Sequence, residues 1–217
     1  ALSVEGSTQL DRMRSALSCR DLIIGVDRLD YSKGRGRRVE AYERLLEKHS
    51  DAQRKIEFLQ IAPISRGDLK AYRDFRRELE RAATRINSRW SQVDWTPLRY
   101  LNRALPRRAL AGLYRASRIG LVTPMRDGMN LVAKEYVAAQ DPDDPGVLIL
   151  SEFAGAAQQM KEALLVNPYD VGAMADALQA ARTMPLAERQ RRHAILMHGL
   201  REHGVKKWRD DFLRALA

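Results

Sequence analysis

Two hydrophobic patterns alternate along this chain: short apolar runs that stop at Gly, Pro or Asp, and longer stretches in which apolar residues recur at helical spacing. Leu22 to Leu29 reads as a buried strand, and beyond it Val39, Tyr42, Leu45 and Leu46 fall on one helix face. The same pattern predicts strands over 22–29, 56–62, 94–100, 119–124, 147–151 and 164–167. Between them it predicts helices near 36–49, 67–88, 106–117, 130–140, 154–161 and 170–183. Pro185 opens another helix, and Val205 to Leu216 reads as a last amphipathic one with Trp208, Phe212 and Leu213 on one side. The opening Ala1 to Thr8 is polar and reads as loose, and residues 9–18 as a short lead-in helix. Each crossover returns through a helix, so the expected fold is α/β: a Rossmann-like parallel sheet with helices on both faces, plus C-terminal helices. The expected division is a lead-in over 1–20, a Rossmann-like domain over 21–184 and C-terminal helices over 185–217.

In such sheets ligands bind outside the carboxyl ends of the strands, and two strand-to-helix loops carry polar groups there. The run Ile119 to Thr123 stops at Pro124-Met125-Arg126-Asp127-Gly128-Met129, and a helix opens at Asn130. Amides of a helix's first turn face an anion, the backbone dipole favours negative charge there, and a glycine lets the chain approach closely. Taken alone, Asn130 reads equally well as an N-cap and Gly128 as a turn residue. The first strand ends in Arg28-Leu29-Asp30-Tyr31-Ser32-Lys33-Gly34, which places two cations five residues apart beside a glycine. Together the loops suit a ligand with a diphosphate at one end and hydroxyls at the other.

Composition narrows the options. With 217 residues, 45% of them hydrophobic, the chain can bury a good core as one domain with a helical tail. It contains no apolar run long enough to span a bilayer, so no membrane partner is expected. The start lacks a charged-then-apolar signal pattern, which makes the cytoplasm the expected location. Cys19 is the single cysteine, which excludes an internal disulfide and a thiolate metal site. His193, His198 and His203 recur every five residues, which is not a same-face helical spacing, so no metal cluster is expected there. The net charge of +10 invites a nucleic-acid reading. Yet the arginines are dispersed among acids, as in Arg73-Asp74-Phe75-Arg76-Arg77-Glu78-Leu79-Glu80-Arg81, and no aromatics interleave with a basic stripe. Nucleic acid is therefore not an expected partner.

Several motifs resemble the trehalose-6-phosphate synthase family. They are Gly25-Val26-Asp27-Arg28-Leu29-Asp30-Tyr31-Ser32-Lys33-Gly34, Gln60-Ile61-Ala62-Pro63-Ile64-Ser65-Arg66-Gly67-Asp68, Trp95-Thr96-Pro97 and Arg126-Asp127-Gly128-Met129-Asn130-Leu131-Val132-Ala133-Lys134-Glu135-Tyr136. Ser151-Glu152-Phe153-Ala154-Gly155-Ala156-Ala157 and Asn167-Pro168-Tyr169-Asp170 continue the series in the family's order and spacing. The resemblance begins near residue 20 and covers the family's C-terminal half. It implies the donor-binding domain of a GT-B glycosyltransferase that moves glucose from UDP-glucose to glucose 6-phosphate, giving α,α-trehalose 6-phosphate with retention. UDP-glucose is then a substrate, and no cofactor or metal is expected. The resemblance also implies a partner N-terminal domain, which carries the remaining acceptor contacts and a histidine at the transferred sugar, and a homo-oligomer when full length.

Roles carry over residue by residue. Arg28 and Lys33 match the family's cations at the donor diphosphate, and with Asp127 they are the expected catalytic residues. Fixed positive charge there stabilises the negative charge growing on departing UDP. Asp127 resembles the residue that orients the transferred glucose, while Gly128, Met129, Asn130, Leu131 and Val132 offer main chain to sugar and nucleotide. Glu135, four residues after Leu131 and so on the same helix face, matches the acceptor of the ribose diol. Leu105 falls where the family has an apolar or aromatic residue near the uracil. Arg66 matches the arginine that reaches the phosphate of glucose 6-phosphate, a charged handle that positions the attacking hydroxyl. The resemblance implies same-face substitution in which the departing phosphate helps deprotonate the acceptor hydroxyl, so no carboxylate nucleophile is assigned. Isolated, Arg28 would read as a salt-bridge partner of Asp27 or Asp30, and Glu135 as a surface acid beside Lys134 or Arg126. Asp141-Pro142-Asp143-Asp144 reads as a surface turn rather than a metal cluster.

One departure stands out. Where relatives continue Lys-Gly with an apolar residue and proline, this chain has Arg35-Gly36-Arg37-Arg38, expected to be a flexible cationic loop. The chain is expected to be a fragment that binds nucleotide sugar with little activity alone. A sister glycosyltransferase with another acceptor, such as a glucosylglycerol-phosphate synthase or a pseudo-glycosyltransferase, stays open, as does a non-catalytic nucleotide- or anion-binding module.

Overall fold

The computed structural model of the chain describes residues 20–28, 30–63 and 70–216. Its sheet has six parallel strands: β1 (Asp21–Val26), β2 (Ile56–Ile61), β3 (Leu98–Leu101), β4 (Ile119–Val122), β5 (Val147–Ser151) and β6 (Leu164–Val166), in the spatial order β3-β2-β1-β4-β5-β6. The helices are α1 (Arg35–Lys48), α2 (Lys70–Trp90), α3 (Arg107–Ala116), α4 (Leu131–Ala139), α5 (Val171–Thr183), α6 (Leu186–Glu202) and α7 (Val205–Leu216).

The apolar runs bury both faces of the sheet, as strand residues pointing alternately up and down require. Ile23, Phe58, Ile119, Leu121, Val147 and Ile149 pack with Tyr42, Leu45 and Leu46 of α1, Leu79 and Ile86 of α2, and Met174 and Leu178 of α5. On the other face Leu22, Ile24, Leu59, Val122, Leu148 and Leu150 pack with Leu113 of α3, Tyr136 and Val137 of α4, and Leu196 of α6. Val39, Tyr42, Leu45 and Leu46, the residues that mark α1 in the sequence, are fully buried. Aliphatic side chains of this kind stabilise by roughly 1.5–3 kcal/mol each.

Expectation and structure differ mostly at element ends. β1 stops at Val26 and β4 at Val122. Beyond β4 the Met125 N–H donates to the Ser32 carbonyl at 2.7 Å, out of the ladder and into the neighbouring loop. β3 begins at Leu98 rather than 94 because Trp95 is tied back to Gln92 by two main-chain bonds and donates its indole N–H to the Ile56 carbonyl at 2.8 Å. The helix expected over 154–161 is a 3-10 turn, Gly155–Gln158, since the Ala156 N–H donates to the Met129 carbonyl at 2.8 Å. Residues 1–19, and with them the loose start and lead-in helix, lie outside the described residues, as does the expected start of the 67–88 helix. Phe212 and Leu213 of α7 are exposed, and the side chain of Trp208 lies outside the described set. Among the described residues no helix is long and apolar enough to cross a membrane.

Candidate functional site

β1 lies between β2 and β4, and the chain leaves β1 towards β2 but β4 towards β5, in opposite directions along the sheet. That reversal opens a crevice at the carboxyl ends of β1 and β4. The two polar loops are the ones that border it, and they touch. Besides the bond between Met125 and Ser32, Gly34 comes so close to β4 that a Cβ there would meet the Thr123 carbonyl oxygen at 2.5 Å. Gly34 also has φ +65°, left-handed backbone that favours glycine. Across this contact Lys33 Nζ lies 2.6 Å from Asp127 Oδ2.

The Asp127 carboxylate joins the loops to α4. Its Oδ2 also accepts from the side-chain amide of Asn130 at 3.1 Å, and its Oδ1 takes a long bond from the Met129 N–H at 3.4 Å. Asn130 caps α4 with its Oδ1, which accepts from the Ala133 N–H at 3.1 Å, and does so at φ +78°. Leu131 and Val132 open the helix, so their N–H groups have no carbonyl partner within it. The loop is seated from below: the Asp127 N–H donates to the Phe153 carbonyl at 3.2 Å, and the Gly155 N–H to the Asp127 carbonyl at 3.0 Å. A Cβ on Gly155 would meet the Gly128 carbonyl oxygen at 2.1 Å.

Arg35-Gly36-Arg37-Arg38 is not a flexible loop: helix α1 begins at Arg35, and Arg35 and Arg38 are fully buried. Arg38 gathers the ends of three strands. It donates to Asp27 Oδ2 at 2.7 Å, Gln60 Oε1 at 3.1 Å and Thr123 Oγ1 at 3.1 Å, and to the Lys33 carbonyl at 3.3 Å. Arg35 donates to the carbonyls of Asp27 at 3.5 Å, of Arg28, and of Asp30 at 2.7 Å. Burial lowers the Arg35 pKa to about 10 against the raising effect of Asp27, and the side chain is still charged at neutral pH. The expectation of a cationic loop gives neither arginine a buried role. The available signal was their spacing, since positions 35, 38, 39, 42, 45 and 46 share one helix face.

Arg28 is exposed, and neither acid that flanks it in sequence holds it. Asp27 pairs with Arg38, and Asp30 accepts from the Ser32 N–H at 2.9 Å and hydroxyl at 2.8 Å. Burial acts to raise the Asp30 pKa, but these two bonds and the charges of Lys33 and Arg35 outweigh it and lower the value.

Glu135 is exposed on α4 and lines two clefts. One, of about 440 Å³, lies against Arg107, Leu110, Tyr114 and Arg115 of α3. The other, of about 710 Å³, is shared with Met129, Leu131, Lys134, Leu200 and His203. Neither contains Arg28, Lys33 or Asp127, so Met129 and Leu131 are what connects the polar loop to a cleft. Burial, then the charges of Glu135 and Asp27, raise the pKa of the Tyr114 phenol. The Glu135 carboxylate and Asp27, just past the end of β1, therefore both act on one buried side chain. Leu105 is half-buried and packs against the core on that face of the sheet. Arg66 lies outside the described residues.

The acidic turn is held by arginines: Arg115 reaches Asp141 at 2.8 Å, and Arg118 and Arg189 reach Asp144 at 3.0 and 2.6 Å. Its arginine partners agree with the surface-turn reading. His193 Nε2 lies 3.1 Å from the Val137 carbonyl oxygen, His198 pairs with Glu202, and His203 Nδ1 lies 3.0 Å from the Gly199 carbonyl oxygen.

Residues 3–217 match the model of glycosyltransferase family 20. A trehalose-6-phosphate synthase of Enterobacter sp. (strain 638) is 54% identical over 96% of this chain and 44% of its own length, and one of Sinorhizobium fredii is 51% identical over 97% and 45%. The chain thus spans less than half the length of these curated relatives. Its fold superposes on an α,α-trehalose-phosphate synthase (UDP-forming) of Burkholderia xenovorans in complex with glucose-6-phosphate, with a TM-score of 0.97 and 53% identity, covering 100% of this chain and 48% of that one. It superposes equally on a trehalose-6-phosphate protein of E. coli bound with UDP-2-fluoro glucose, with a TM-score of 0.95 and 50% identity, again over 100% and 48%. With the family model matched over nearly the whole chain and relatives at this identity, the chain belongs to glycosyltransferase family 20.

Proposed function

We propose that this chain is the donor-binding part of a retaining glucosyltransferase that moves glucose from UDP-glucose to glucose 6-phosphate, forming α,α-trehalose 6-phosphate. The observation that carries the reading is the Lys33–Asp127 contact, which brings a phosphate-type cation and a hydroxyl-accepting carboxylate together beside the start of α4. Arg28 and Lys33 hold the diphosphate, one as a fork across two oxygens and the other as a point charge. The N–H groups of Leu131 and Val132 and the α4 dipole add to the positive field that stabilises departing UDP. Asp127 accepts from hydroxyls of the transferred glucose, with the Gly128, Met129 and Asn130 main chain beside it. Glu135 accepts from the ribose diol, Leu105 lies against the uracil, and Arg66 takes the phosphate of the acceptor.

The names of the relatives and the ligands in two of their solved structures support this assignment. The rest of the acceptor site belongs to an N-terminal domain facing this one across a cleft, and the complete enzyme is cytoplasmic and homo-oligomeric. No metal is assigned a role, because the two cations and the helix amides supply the charge that UDP requires on leaving.

A thermal-shift titration tests the reading, since a ligand that binds only the folded state raises Tm by mass action. UDP-glucose should raise Tm, and Arg28→Ala and Glu135→Ala should each abolish most of the rise. Equal stabilisation by tripolyphosphate would favour a general anion-binding module. Comparing glucose 6-phosphate with glycerol 3-phosphate as acceptors for the complete enzyme separates trehalose-phosphate synthesis from a sister reaction.

A further inference from the structure

Arg35 is fully buried, and its hydrogen bonds described above run to one short loop. We infer that Arg35 is a positioning residue for the donor diphosphate: it turns the carbonyls of Asp27, Arg28 and Asp30 inward and so presents Arg28 outward. The inference rests on the donor-site reading and deepens it by naming what arms that site in this chain.

Geometry and charge carry it together. Arg35 Nη1 donates to the carbonyls of Asp27 and Arg28, and Nη2 to that of Asp30 at 2.7 Å. The three acceptors span the segment that bears Arg28, and the guanidinium has no solvent-exposed surface from which to touch a ligand itself. A carbonyl oxygen is partially negative, so any of the three turned towards the crevice would repel a diphosphate. Bonded to a cation behind the loop, they face away and leave the exposed side chain of Arg28 on the ligand side. The same segment is anchored at its ends by other groups: the Asp27 N–H donates to the Ile61 carbonyl at 3.1 Å, and the Asp30 carboxylate accepts from Ser32. Arg35 supplies the tie between those anchors. A planar fork meets several carbonyls at once, whereas a lysine is a single flexible point, so the chemistry selects arginine over lysine.

This arrangement separates the diphosphate from the nucleoside. Loosening the loop should weaken binding of UDP while leaving uridine, which has no phosphate, as it was. In isothermal titration of the 217-residue chain, Arg35→Leu should weaken UDP about ten-fold, the scale of one lost charge-assisted hydrogen bond, with uridine unchanged. Arg35→Lys should recover part of the loss. Because Arg35 acts through Arg28, adding Arg35→Leu to Arg28→Ala should cost little more than Arg28→Ala alone. Amide hydrogen exchange over residues 27–33 should speed up in Arg35→Leu while exchange in β2 and β5 stays unchanged, which distinguishes a loosened loop from a damaged fold. Equal weakening of UDP and uridine, full additivity with Arg28→Ala, or unchanged exchange in the loop would each overturn the inference. If the unmodified chain binds UDP no more tightly than uridine, the donor-site reading itself fails and this inference falls with it.

Discussion

Lys33 and Asp127 stand 94 positions apart in the sequence and meet at 2.6 Å. The pair is only partly buried, at 16% and 19% exposure, and pairs of this kind contribute about 0–1 kcal/mol. Its weight lies in position, because the cation proposed for the diphosphate is held by the carboxylate proposed for the sugar.

The two partners should therefore respond with opposite signs. With Lys33 in its proposed role, Lys33→Met removes a charge-assisted bond to phosphate and should weaken UDP and UDP-glucose alike, by roughly 1.5–3 kcal/mol. Asp127→Asn removes a negative charge beside the diphosphate and frees Lys33, so UDP should bind several-fold more tightly. The same change takes an acceptor from the glucose hydroxyls, so the preference of UDP-glucose over UDP should shrink. Calorimetric titration of both ligands against both variants measures this directly. Asp127→Asn weakening UDP as much as Lys33→Met does would contradict the assigned roles.

Asn130 combines two demands that only a few residue types meet. Its backbone is left-handed at φ +78°, and its side chain caps α4 at Ala133 while steadying Asp127. Asn130→Ala loses the cap, worth about 1 kcal/mol, and keeps a Cβ in the left-handed region without the local side-chain hydrogen bonding that lets asparagine tolerate it. Asn130→Gly meets the backbone demand and loses only the side-chain bonds. Urea denaturation should rank stability as Asn, then Gly, then Ala, and a reversal of Gly and Ala would show that the backbone conformation is not the dominant cost.

Periodicity in the sequence identified what packs, because burial on two faces leaves a repeating record. The alternation of Ile23 with Leu22 and Ile24, and the spacing of Val39, Tyr42 and Leu45, specify β1 and α1 with errors confined to their ends. The two loops were legible as well, because Gly34, Asp127 and Asn130 carry turn and capping chemistry that a strand or helix interior does not use. Arg35 and Arg38 were misread for a physical reason: arginine is seldom buried, and its burial here depends on acceptors from distant segments. Asp27 and the Arg28 carbonyl are local to α1, but Gln60 and Thr123 meet Arg38 only once β2 and β4 have joined β1. The Gly155 turn was misread likewise, since its helical hydrogen bonds are displaced by a contact to Met129, which precedes it by a whole strand and helix.

His193 gives the fold a pH dependence with a definite sign. It is buried on α6 against the Val137 carbonyl of α4; burial lowers its pKa below 6.5, the Val137 hydrogen bond and Asp141 oppose that shift, and Arg201 adds to it. The unfolded chain therefore takes up a proton at a pH where the folded chain does not. This contribution is constant above the unfolded value of 6.5, and stability declines as pH falls from there towards the lower folded pKa. Melting curves between pH 5 and 8, compared with those of His193→Gln, should show a steeper acid-side fall in the unmodified chain. Parallel profiles would mean that the histidine titrates alike in both states.

Arg38 and Asp27 form the buried ion pair on which the crevice stands. Both side chains are almost wholly inaccessible, at 0% and 3% exposure, so the cost of desolvating them is met by mutual attraction and by the bonds to Gln60 and Thr123. Removing one partner strands the other's charge, and Arg38→Met or Asp27→Asn should each destabilise by about 3–5 kcal/mol. The double variant strands neither member of the pair, so it should be distinctly more stable than the sum of the two losses implies. Denaturant unfolding of the four proteins gives the coupling energy. The pair also holds the Lys33 carbonyl through Arg38 at 3.3 Å, so the double variant should regain stability without regaining UDP affinity. Recovery of both together would mean that the network sets the fold alone and leaves the geometry of Lys33 to the loop itself.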